Sequence, residues 1–324
     1  MIRATVVGAV GALLTVLVAC GGPPAGPTSA AVAPAPCSPS VAITGFSDAL
    51  DGREYGARRV YALEGLSALA VDRDGTLLAL SDRSVLFTLD PRTRQPTGAW
   101  PLATEDGSAL DSEGLAVDVD GTRLVSSETE PSVRRYDRDG RLLGRLDVPP
   151  DLAARARDNQ SLEGVAVLAP GGPVVAAMEG ALDGDDPAVR RFPTWVGGVP
   201  GPTLAYRPDP GLDVSDVTAS GDGRLLVLER SYTAGVGNTV HLALATPAGA
   251  DLFRVPLADL GACPSLGATS RQAQQNPLLD NVEGMTVLGR TPDGALQLLL
   301  VSDDNQDSDQ TTRLYDLVVR LPAP

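Results

Sequence analysis

A short pattern, an acidic residue leading a run of small apolar residues and usually followed by glycine, returns along the chain. It appears as Glu64-Gly65-Leu66, Glu113-Gly114-Leu115, Glu163-Gly164-Val165, Asp216-Val217 and Glu283-Gly284-Met285. Subtracting the positions of Glu64, Glu113, Glu163, Asp216 and Glu283 puts these acids 49, 50, 53 and 67 residues apart. Polar turns then lead into a second apolar run: Asp72-Arg73-Asp74-Gly75 into 77–81, Asp118-Val119-Asp120-Gly121 into 124–127, and Gly221-Asp222-Gly223 into 225–228. Asp-Gly between two short apolar runs is a hairpin signal. A further one, Asp139-Gly140 between Tyr136 and Leu142, falls where the outer strands of one unit belong. Units of roughly 50 residues with about four strands each predict an all-β fold, a β-propeller of four-stranded blades. The wide interval from Asp216 to Glu283 leaves room for a degenerate unit, so five or six blades are expected over residues 38–324. Residues 180–212, with Pro, Gly and Asp clusters around Phe192 and Trp195, read as a long surface loop.

Equivalent positions of successive blades surround one axis, so Glu64, Glu113, Glu163, Asp216 and Glu283 are expected to converge at one mouth of the channel. A second acidic set closes the same hairpins: Asp82, Glu128 with Glu130, Glu179, Glu229, and Asp303 with Asp304. Antiparallel strands return the chain to the rim it left, so the two sets should face each other. Carboxylates gathered this closely need protonation, arginine pairing or a divalent cation. Hard oxygen ligands favour calcium or magnesium, and calcium is the expected ion, with Glu64, Glu113, Glu163, Asp216, Glu283 and Asp303 as candidate ligands. The glycine after the acid lets the backbone approach a bound group or adopt a conformation closed to other residues. Glu-Gly is also common in turns, and acids at strand ends can simply be solvated. Arg230 and Arg313 are candidates to meet a phosphate or carboxylate, and Glu229-Arg230-Ser231-Tyr232 with Gly235 and Asn238 is the most distinctive local cluster. Each arginine suits ordinary ion pairing with its acidic neighbours equally well.

Charge and composition narrow the partners. There are 41 acidic residues against 26 basic ones, and the net charge is -15. Every basic residue is arginine. Nucleic-acid binding rests on clustered positive charge and is not expected here. Without lysine there is no P-loop lysine and no Schiff base. The single histidine, His241, lies in the alternating run Val240-His241-Leu242 and reads as a structural strand residue. A serine-hydrolase elbow of the form Gly-x-Ser-x-Gly does not occur in the sequence.

The N-terminus reads as a processing segment. Residues 1–19 combine Arg3 with an apolar run of signal-peptide length, and Leu17-Val18-Ala19-Cys20 resembles a bacterial lipobox. That resemblance implies cleavage before Cys20, lipidation of Cys20 and an extracytoplasmic protein anchored to the cell membrane; an ordinary signal peptide cut nearby is the alternative. Residues 20–36, rich in Gly, Pro and Ala, read as a tether, and 37–324 as a single propeller domain for which a monomer suffices. Cys37 and Cys263 are expected to form a disulfide in an oxidising compartment, with two free buried thiols as the alternative.

Taken together, these segments resemble the phytase-like propellers described as having esterase-like activity. The resemblance is carried by the repeated Glu-Gly-Leu/Val-Ala-Val, by Glu229-Arg230-Ser231-Tyr232, by Asn281-Val282-Glu283-Gly284-Met285, and by Ser302-Asp303-Asp304-Asn305 followed by Thr312-Arg313-Leu314-Tyr315; it spans about residues 40–321. It implies a calcium-dependent extracytoplasmic hydrolase of phosphate esters, with Glu113, Glu163, Glu229, Glu283 and Asp303 as functional acids. Glu229, Arg230 and Arg313 are the expected catalytic residues, acting on a small anionic substrate. Asp216, which lacks the following glycine, marks an atypical blade. Phytate is a difficult substrate for so acidic a chain, although calcium can reverse the local field. Two other readings stay open: a noncatalytic propeller binding an envelope ligand or protein, and a lactonase-like metal hydrolase.

Overall fold

The computed structural model describes Met1 and residues 35–323. The expected signal segment, the lipidation site Cys20 and most of the tether lie outside the described residues.

The apolar runs pair as their turns require. In the first hairpin the Gly75 N–H donates to the Asp72 carbonyl over 2.9 Å, and Gly75 has φ 86°, a left-handed conformation that favours glycine. Five blade sheets follow in chain order, antiparallel except where Ala205 pairs parallel with Asp251 at the outer edge of the fourth. Blade I holds Leu66–Val71, Leu77–Ser81, Val85–Leu89 and Pro96–Pro101. Blade II holds Ser112–Val117, Arg123–Ser127, Ser132–Tyr136 and Leu142–Asp147. Blade III holds Leu162–Val167, Val174–Met178, Thr194–Val196 and Val199–Pro200. Blade IV is built on Asp213–Ala219, Leu225–Thr233, Gly237–Ala248 and Asp251–Asp259, and blade V on Asn281–Arg290, Leu296–Asp303 and Leu314–Val319. The first-named strand of each blade is its innermost, and these strands touch in the order I, II, III, IV, V and back to I.

The ring therefore has five blades. The interval that left room for a sixth is taken up by the long strands of blade IV and by the segment leading to Asn281. Residues 180–212 are also more regular than the long loop expected from their composition. They supply the outer strands of blade III, and Leu204–Tyr206 and Arg190–Phe192 extend the sheet of blade IV outward. Phe192 and Trp195 are buried there.

Packing explains the closure. Strand side chains alternate between faces, so one strand feeds two cores. In Leu77–Ser81, Leu77 and Ala79 pack toward blade V while Leu78 and Leu80 pack toward blade II. Each of the five apolar clusters lies between two neighbouring blades. The seam is in blade V, where Val41–Ser47 pairs antiparallel with the C-terminal strand, Val41 opposite Val319. Cys37 and Cys263 form the expected disulfide, with Cα atoms 4.1 Å apart, tying this N-terminal edge to the segment leaving blade IV.

Candidate functional site

Where each innermost strand begins, its register with the next strand slips by one residue: between Leu66 and Ala68, Ser112 and Leu115, Leu162 and Val165, Val214 and Asp216, and Val282 and Gly284. These are β-bulges, which re-aim a side chain at the cost of one ladder position. Superposing the blades on the bulge yields one ring of equivalent positions, Ser67, Glu113, Glu163, Ser215 and Glu283. The second-strand partners of the pair that precedes each bulge are Ser81, Ser127, Met178, Glu229 and Ser302, and the residues just past them form another ring, Asp82, Glu128, Glu179, Arg230 and Asp303. The three glutamates of the first ring and all five residues of the second line one funnel of about 540 Å³, with Asp111 and Asp307 added from the loops. Arg230 is the only cationic side chain among the described residues lining it.

The structure thus brings Glu113, Glu163, Glu283, Asp303 and Arg230 together and separates the other expected site residues from them. Glu64 precedes its strand by two positions and lines a different cleft with Tyr61 and Arg83, so it is not a member of the ring. Asp216 stands at the position occupied by glycine in blades II, III and V. Its carboxylate lies between blades, accepting the N–H of Val217 and of Met285, each at 2.7 Å. Glu229 faces away from the funnel: Arg254 grips it through Nε and Nη2 at 2.7 and 2.8 Å, and the Tyr206 hydroxyl donates to it. Arg313 has no free donor, since Asp48 and the carbonyls of Pro277, Leu278 and Thr269 take all five N–H groups. One cause accounts for Glu229 and Asp216 together. A one-residue error of alignment along a strand exchanges its two faces.

The sequence places Glu128 and Glu179 in the facing acidic set but not among the expected ligands, and Asn238 beside the Arg230 cluster; Asp111 carried no signal there. The distance to the turn was the missing signal: Ser67, Glu113 and Ser215 each stand eight positions before the turn glycine, Gly75, Gly121 or Gly223, whereas aligning acids by type selects Glu64 and Asp216 instead. The glycines of the repeat serve strand approach. A Cβ on Gly114 would sit 2.5 Å from the Glu163 carbonyl, and one on Gly284 2.8 Å from the Ala68 Cα. A third acidic group, Asp209 and Glu229 beside His241, already has its charge compensated. Arg254 lies 2.7 Å from both carboxylates, and His241 Nδ1 lies 2.7 Å from Asp209, in keeping with a structural histidine.

The funnel is electrostatically loaded. Burial pushes Glu113 and Glu163 well above the usual carboxylate range, and the facing acids add to it: Glu283 and Asp111 for the first, Glu113 and Glu179 for the second. Asp303 is raised by burial and by Glu283. Burial likewise raises Glu179, to about 8, although the Arg230 charge works in the opposite direction. Arg230 itself reaches Glu283 over 3.0 Å. Carboxylate oxygens of Asp111, Glu113 and Glu128 lie within 4.8 Å of one another, as do those of Glu128, Glu163 and Glu179. Two all-oxygen groups sharing Glu128 fit hard divalent cations such as calcium, and a cation there would relieve the repulsion that holds protons on these acids.

Residues 62–306 match the model of the phytase-like family, described as esterase-like activity of phytase. A stretch of 95 residues is 28% identical to porphobilinogen deaminase of Eremothecium gossypii, covering 29% of this chain and 29% of that protein, so the chain matches under a third of that relative's length. Among solved structures, the chain is similar to selenomethionine-substituted virginiamycin B lyase from Staphylococcus aureus, with TM-score 0.41, 10% identity, and 81% of this chain and 84% of that one covered. It is also similar to a candidate gluconolactonase, with TM-score 0.43, 15% identity, and 81% and 79% covered. Likenesses this distant carry nothing about substrate.

Proposed function

The chain belongs to the phytase-like family, and from that membership we propose that its funnel is the active site of a calcium-dependent hydrolase of phosphate esters. One arrangement supports this reading above all: two three-carboxylate groups that share Glu128 stand in the same funnel as a single guanidinium, Arg230. Asp111, Glu113 and Glu128 would hold one divalent ion and Glu128, Glu163 and Glu179 another. Such ions, when bound, polarise a phosphoryl oxygen and acidify a coordinated water. Arg230 supplies N–H donors to the phosphoryl oxygens as charge develops on them. In the reaction a water oxygen bonds to phosphorus, the ester P–O bond breaks, the water proton passes to a carboxylate, and the departing alkoxide takes up a proton. An acid of the funnel outside both ion-holding groups, Glu283 or Asp303, accepts it and returns it to the departing alkoxide.

The reading includes an extracytoplasmic location with a lipid anchor on Cys20. Leu17-Val18-Ala19-Cys20 and the Cys37–Cys263 disulfide support it, since disulfides persist in oxidising compartments. The test is calcium titration by calorimetry together with release of nitrophenol from p-nitrophenyl phosphate. Calcium binding is expected, with turnover abolished by EDTA and by Glu163→Gln. Calcium binding without turnover would turn the reading to a ligand-binding propeller, and no calcium binding would remove it.

A further inference from the structure

The funnel is not uniformly acidic, and its one donor-rich wall lies on a single hairpin of blade IV. Leu225–Thr233 and Gly237–Ala248 run beyond the strands of the other blades, pairing through Tyr232 opposite Asn238 to Thr233 opposite Gly237. With period-two alternation, Arg230, Tyr232 and Asn238 share one face of this hairpin, and all three line the funnel. Several polar atoms there are buried without a hydrogen-bond partner among the described residues: Arg230 Nε, Gln274 Nε2, and both Oδ1 and Nδ2 of Asn238. Asn238 is 7% exposed, and its backbone N–H is held by Gln274 Oε1 at 2.8 Å, which fixes the residue while leaving its amide free. A buried amide with neither donor nor acceptor satisfied is costly, and such groups in folded proteins ordinarily have a partner.

Charge limits what that partner can be. Nine carboxylates, Asp82, Asp111, Glu113, Glu128, Glu163, Glu179, Glu283, Asp303 and Asp307, share the funnel with one guanidinium. Even with calcium ions on Asp111, Glu113, Glu128, Glu163 and Glu179, the acids Asp82, Glu283, Asp303 and Asp307 remain against that guanidinium, so one anionic group can sit at Arg230 whereas a second on the same molecule would be driven against them. A hydroxyl, being donor and acceptor at once, matches the two free atoms of the Asn238 amide.

We propose that Arg230 and Asn238 form a recognition subsite for esters carrying a single phosphoryl group with a neutral hydroxyl close by, and that this subsite discriminates against molecules with two or more phosphoryl groups. The inference rests on the phosphate-ester reading above. Its test uses phosphonates, which cannot be hydrolysed, in equilibrium titrations of the full chain at saturating calcium. Hydroxyethylphosphonate is expected to bind about tenfold more tightly than ethylphosphonate, as one satisfied polar pair would give. Butylene diphosphonate should bind at least tenfold more weakly than ethylphosphonate. In Asn238→Leu the hydroxyl preference should vanish while ethylphosphonate affinity is kept; Arg230→Met should lose all three ligands. Equal binding of the two ethyl ligands, or tighter binding of the diphosphonate, would overturn the subsite, and both comparisons are made on the unaltered chain. Calcium binding with no phosphonate binding at all would overturn the phosphate-ester reading, and the subsite with it.

Discussion

Asp216 shows how one side chain can leave a repeat and take on a different task. Glycine at this position lets neighbouring innermost strands approach, and in blade IV the carboxylate instead links Val217 and Met285 across the gap between blades. Burial pushes its proton affinity well above the usual range, with the two backbone donors pulling the other way. Asp216→Asn keeps one acceptor and loses the other. It should lower stability by about 1 kcal/mol in urea unfolding while leaving calcium stoichiometry unchanged; loss of a calcium ion would return Asp216 to the ligand set. Glu229 makes the same point more strongly, because it is fully buried against Arg254. Glu229→Ala leaves Arg254 with Asp209 alone and the buried Tyr206 hydroxyl without its acceptor, and should cost about 2–3 kcal/mol, again without loss of calcium.

At the level of the strand, side-chain parity decides which residues meet. Blade architecture, the turns between strands, the acidic funnel and the disulfide were all legible in the sequence, because Asp-Gly turns, apolar runs and paired cysteines are local signals. Parity was masked by residue type. Arg230 follows the turn glycine Gly223 by seven positions, as Asp82 follows Gly75 and Glu128 follows Gly121, so matching Glu229 to those acids by its charge assigns it to the face that Arg230 occupies. Glu64 failed for a related reason: its Glu-Gly lies ahead of the strand, where Ser67 holds the ring position and donates to the Ser112 carbonyl at 2.8 Å. Blade IV is consequently the one blade whose second-ring residue is basic. Arg230→Glu would make that ring wholly acidic, so calcium should bind more tightly while turnover of p-nitrophenyl phosphate falls by about 100-fold or more. Unchanged turnover would remove Arg230 from the reaction.

Across the whole molecule, the funnel acids couple ion binding to the stability of the closed ring, since four of the five blades contribute a carboxylate and each blade is packed between two others. Glu113, Glu163, Glu179 and Asp303 all have raised proton affinities in the folded protein. The folded state therefore holds more protons than the unfolded chain wherever these acids have not yet titrated. Stability is then fully present below the ordinary carboxylate pKa and is lost as pH rises through the folded one. For Glu179 that window runs from 4.5 to about 8. In EDTA the melting temperature should fall steadily across this window. Saturating calcium, which binds the ionised carboxylates, should raise it most at the alkaline end, because there fewer protons have to be displaced. Blades that pack on both sides should melt in one transition whose midpoint moves with both pH and calcium. A melting temperature that ignores EDTA throughout would mean that the carboxylates are balanced without an ion, leaving Arg230 and protons as their only compensation.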